Sequence, residues 1–130
     1  MEGNINQPTE EFVPVQLVEA DSVSSKELDQ LGDMLDTPDR GLFDAVAKAA
    51  KDALQAVRDG GDMVKVLQVI KTMMADTDVR ITYRVAKLIA VRIGATAIIS
   101  MTPQAMLIEA WKLWPEIQKI VDEERKLNED

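Results

Sequence analysis

Two pairs of carboxylates lie close enough along the chain to grip a cation. "DGGD" runs from Asp59 to Asp62, and "DTD" from Asp76 to Asp78. Oxygen ligands for calcium recur at alternate positions and end in a later Glu, a pattern that neither stretch continues. Both stretches also fall where helices must start. There a short Asp side chain accepts from the free N–H groups of a first turn. The two pairs are therefore read as helix caps. Glu123 and Glu124 near the end of the chain are read as a solvated helix face. The chain contains no His and no Cys, so it lacks the usual general base, a thiolate nucleophile and the commonest zinc ligands. It also has no phosphate-binding glycine loop. No catalytic, cofactor-binding or metal-binding residue is assigned, and a non-enzymatic role is expected.

Positive charge is the next chemistry available. Arg80, Arg84 and Lys87 recur at i, i+4 and i+7, which puts them in one stripe on a helix. Such a stripe can meet phosphates or carboxylates. Three cations are few for duplex DNA, and a net charge of −8 repels its backbone. A helix-turn-helix reading of "AVRIGATAIISMTPQAMLIEAW" leaves Lys112 as the single cation of the would-be recognition helix. Nucleic acid is therefore disfavoured, and the stripe is expected to meet the acidic head of this chain or an acidic partner. Arg92 faces another side and is expected to need a buried carboxylate partner.

Apolar chemistry centres on two tryptophans. Aromatic residues make up 4% of the chain, yet Trp111 and Trp114 fall together. They can fill a core, or anchor a partner as Trp often does at binding hot spots. Beside them lies the longest uncharged run, the 16 residues between Arg92 and Glu109. It is short of the roughly 20 residues a membrane-spanning helix needs, and Pro103 interrupts it. Its small residues would let another helix come close, which favours the anchor reading. "GLFDAVAKAAKDALQAV" is amphipathic in the manner of a lipid-surface helix. Its Asp and Lys charges cancel, however, so lipid contact is the weaker reading.

The elements that must hold these residues read as helices. At 130 residues the chain is sized for one domain, with 46% apolar and 29% charged residues. Ser24 to Glu27, "SSKE", is a capping box. Leu28, Leu31, Met34 and Leu35 mark the helix behind it. Thr37-Pro38 starts a second helix with a stripe of Phe43, Val46, Ala50, Leu54 and Val57, ended by Gly60-Gly61. Asp62 is expected to cap a third helix carrying Met63, Val66, Leu67, Ile70 and Met73 or Met74. Asp76 and Thr77 separate it from a fourth, which has Asp78 in its first turn, Ile81, Val85, Leu88, Ile89 and Ile93 inward and Ala86, Ala90 and Ala97 on the adjoining arc. That arc is wide, so this helix is expected at the centre. Thr102-Pro103 repeats the start signal, and Pro115 must kink or restart the chain before Ile117, Ile120 and Val121.

One stretch does not fit this pattern. "TEEFVPVQLVEADS", Thr9 to Ser22, alternates like a strand but has no second strand to pair with. Pro14 bars it from the middle of a sheet. Phe12, Val13, Val15, Leu17 and Val18 are too apolar for a comfortable solvated tail. The segment is expected to dock as an arm, on its own helices or on another molecule. Charge is layered in the same order. Residues 1–44 carry 11 acidic and 2 basic side chains, residues 45–92 carry 5 and 9, and residues 93–130 carry 7 and 4. The basic middle can pair with either acidic end, within a chain or between copies.

Together these features predict an all-α, four- to six-helix bundle over 23–130, preceded by an extended acidic N-terminal arm over 1–22. The expected partner is protein, as a homo-oligomer or larger assembly. The function expected is that of a shell, scaffold or adaptor component, of a kind found in virus or phage particles. The alternative is a small regulator that binds and blocks one partner. No signal peptide is visible in the acidic, polar opening residues, and the absence of Cys fits a reducing compartment. The cytoplasm or the inside of a virus particle is the expected site.

Overall fold

The computed structural model describes residues 16–36, 45–74 and 78–128. Among them there are seven α-helices packed together and no strand. A 3-10 turn, Ala20–Ser22, leads into α1 (Ser25–Asp36). It is followed by α2 (Ala45–Asp59), α3 (Met63–Met73), α4 (Val79–Ile93), α5 (Ala95–Ser100), α6 (Pro103–Lys112) and α7 (Trp114–Asn128).

Local chemistry sets most of the boundaries. At α1 the Ser24 hydroxyl accepts from Glu27 N at 3.2 Å, while Glu27 Oε1 accepts from Ser24 N at 2.9 Å. That reciprocal pair is the expected capping box. Helix α2 ends in a Schellman arrangement. Asp62 N donates to Val57 O at 2.9 Å and Gly61 N to Arg58 O at 3.0 Å, with Gly61 at φ +80°. Asp78 is the N-cap of α4 and accepts from Ile81 N at 3.0 Å. Thr102 caps α6, accepting from Ala105 N at 3.2 Å, with Pro103 in the first turn. Pro115 restarts the chain: α7 opens at Trp114, so the missing N–H falls in a first turn that does not need it. The Thr37-Pro38 signal and Phe43 lie outside the described residues.

Three expectations are corrected. Asp62 makes no side-chain cap. Its backbone, φ −93° and ψ 4°, is already committed to closing α2, and its carboxylate turns to Lys65 at 3.2 Å. Ala97 is exposed instead of sharing the buried arc of α4. Gly94 breaks that helix at φ +93°, and α5 resumes with a new phase. With this break the described residues form seven helices, where four to six had been expected. Val46 is exposed, because the buried face of α2 begins at Ala50.

The core gathers around α4, which touches α1, α2, α3, α5 and α7. Its wide apolar arc explains the position: Ile81, Tyr83, Val85, Ala86, Ile89 and Ala90 are all buried. Leu31 and Leu35 of α1, Leu54 and Val57 of α2, and Ile117 of α7 close on it. Helix α3 adds Val66, Leu67, Val69 and Ile70, and α6 packs on α3 through Met106, Leu107 and Ala110. No helix among the described residues is long and apolar enough to cross a membrane.

Candidate interaction surfaces

The strand-like arm enters the described residues at Gln16; Phe12, Val13 and Val15 lie outside them. Its end is held by side chains of α3. Val18 N donates to Thr72 Oγ1 at 2.9 Å, and Gln68 Nε2 donates to Val18 O at 2.9 Å. Gln68 and Thr72 stand one turn apart, and the Thr72 hydroxyl spends its own proton on Gln68 O at 2.7 Å. A helix face thus supplies the donor and acceptor that a neighbouring strand would have supplied. Lys71 extends the grip, donating to Ser22 O at 2.7 Å and to Glu27 Oε1 at 3.1 Å. Leu17 packs against the core and Val23 is buried in it. This end of the segment docks on its own chain.

The basic stripe divides by residue. Arg80 is exposed. The Lys87 amine lies 5.1 Å from the centre of the Tyr83 ring, one turn earlier. Arg84 forks onto α7, donating to Glu124 Oε2 at 3.0 Å and Glu123 Oε1 at 2.9 Å. Arg84 is thus tied to the acidic end of the chain. Burial works against the Arg84 charge, and the hydrogen bonds to Glu123 and then Glu124 more than offset it, raising its pKa. Glu124 is 7% exposed, so the solvated-face reading holds for Glu123 alone. Arg92 pairs with Glu116, whose carboxylate is partly exposed and not buried as expected. Both ties bind α4 to α7.

Trp111 and Trp114 meet where α6 turns into α7, with ring centres 5.3 Å apart and planes inclined at 50°. Both pack against the core and both keep part of their surface in water. Ile108, one turn before Trp111, is 41% exposed. The uncharged run forms α5 and most of α6. Its exposed positions include Thr96, Ala97, Ile99, Ser100, Gln104 and Ile108. Lys65 of α3 secures this corner: its amine donates to Ile98 O at 2.9 Å, Ile99 O at 3.2 Å and Met101 O at 2.9 Å. Those carbonyls end α5 and would otherwise lack intrahelical donors.

A cleft of about 510 Å³ opens between α1, the end of α2 and the start of α3. Its lining includes Asp29, Asp33 and Arg58 together with Leu28, Met63 and Val64. Arg58 crosses Gly32, where a Cβ would sit 3.1 Å from the guanidinium, and reaches Asp36 at 3.3 Å. The cleft offers charge of both signs to a polar ligand. No group of three or more potential metal ligands is found among the described residues.

Comparison with protein-family models, with curated proteins and with solved structures finds no match. The residues that sequence reasoning missed are Lys65, Gln68, Lys71 and Thr72. All four sit on α3 and act on backbone 33 to 54 positions away in the chain. Their spacing carries no signal of it.

Proposed function

We propose that the protein is a non-enzymatic assembly component that works by protein–protein association. In this reading it is part of an oligomeric shell, scaffold or adaptor, of a kind found in virus or phage particles. The observation that supports it is the tryptophan corner. Two indoles in an aromatic-poor chain pack on the core and keep part of their surface in water, next to an exposed isoleucine. Rigid, partly buried Trp side chains are the type that dominates binding energy at interfaces. Apolar burial at that corner would supply affinity, and the segregated charges would set register.

The test is the native mass of the full chain at micromolar concentration, with and without residues 1–22. The expected result is an oligomer whose association is impaired by the deletion while helical circular dichroism persists. Loss of the helical signal would assign the arm to the core instead. A strict monomer at every concentration would overturn the assembly reading and favour a regulator that blocks a single partner.

A further inference from the structure

We propose that Lys71 is a latch. Its charged amine fastens residues 16–23 to α3, and neutralising that amine releases the strap from a bundle that stays folded. The latch acts within one chain and stands apart from the association reading above.

The strap lies thinly on the surface. Gln16 and the residues from Glu19 to Ser22 are exposed, and of residues 16–23 only Val23 is buried. Its hydrogen bonds to the bundle come from α3 and reach its backbone. Thr72 and Gln68 hold the N–H and C=O of Val18, and Lys71 holds the C=O of Ser22. A segment with so little buried surface opens locally, at a free energy below that of the whole fold.

Lys71 differs from the other two holders. Thr72 and Gln68 are neutral and grip a single residue of the strap. Lys71 is charged, and its amine also donates to Glu27 Oε1 at 3.1 Å. That oxygen accepts from Ser24 N and from the Ser24 hydroxyl. One ammonium therefore spans the point where the strap turns into α1, and ties both to α3. Its several N–H groups and its charge let it serve two acceptors at once. A neutral, shorter Gln supplies neither. The Lys71 side chain is 29% exposed, so the contact can open without unpacking the core. Once released, Val18 offers a free N–H and C=O, the groups with which an extended chain pairs. The latch thereby sets whether the strap is stowed or presented.

Amide hydrogen exchange of the full chain, read residue by residue by NMR, tests this in wild type, Lys71→Gln, Lys71→Arg and Thr72→Val. In Lys71→Gln the amides of Val18, Val23 and Ser24 should exchange faster by about tenfold or more, while Val85 and Ile89 in α4 keep wild-type protection. Val18 is the telling position, because its own acceptor, Thr72, is intact in that variant. Lys71→Arg keeps the charge and should restore protection. Thr72→Val should free Val18 and leave Ser24 protected. The latch is overturned if Lys71→Gln leaves Val18 protected, or if Val85 and Ile89 loosen along with it. It is equally overturned if Arg fails to restore what Gln loses, or if Thr72→Val frees Ser24 as well.

Discussion

Glu27 gathers three donors on one carboxylate oxygen: Ser24 N, the Ser24 hydroxyl and the Lys71 amine. The backbone N–H of Ser24 is the main reason its pKa lies below the ordinary 4.5; partial burial opposes the shift, and Lys71 adds to it. A depressed carboxylate stabilises the fold above its unfolded pKa, and that contribution is lost as pH falls through the folded value. Glu27→Gln keeps an acceptor for the cap and removes the charge. The variant should be less stable than wild type at neutral pH, by an amount that stays level down to about pH 4.5 and shrinks below it. Urea midpoints measured from pH 7 to pH 3 check this. A gap that widens on acidification would refute the assignment. This motif was legible because its chemistry is local: a Ser, a Glu and a spacing of three. Asp62 was misread for the complementary reason. It satisfies the same local rule, but its backbone already serves the turn that closes α2.

Helices α4 and α7 are joined by the Arg84 fork and by the Arg92–Glu116 pair. Removing Arg84 leaves the buried Glu124 carboxylate without that donor, which should cost about 1–3 kcal/mol. Arg80 is exposed on the same stripe, so Arg80→Ala should stay within about 0.5 kcal/mol. Thermal or urea denaturation of Arg84→Ala and Arg80→Ala separates the two; equal losses would deny the fork its structural role. The stripe itself could be read from i, i+4, i+7 spacing. Its partner could not, because Glu124 lies 40 residues away and reaches Arg84 only after α7 has packed on α4. The inward faces of α1 and α3 were legible from 3.6-residue periodicity. Ala97 was not, since Gly94 weakens a helix in sequence without showing that the chain resumes in a new phase between α4 and α5.

At the scale of the molecule, α4 is the hub on which the described helices depend. Ile89 is fully buried there. Ile89→Ala should cost about 2–5 kcal/mol. Because five helices lean on α4, all helical signal should vanish in one transition. Two separated transitions by circular dichroism would show that the bundle is not a single cooperative unit. The extended piece at Val18 has a further consequence. An unpaired strand normally offers a ready row of amides and carbonyls to any passing chain, the seed of sheet-like aggregation. Here Thr72 takes the amide of Val18 and Gln68 serves its carbonyl. At that residue, polymerisation edge to edge finds its template already occupied.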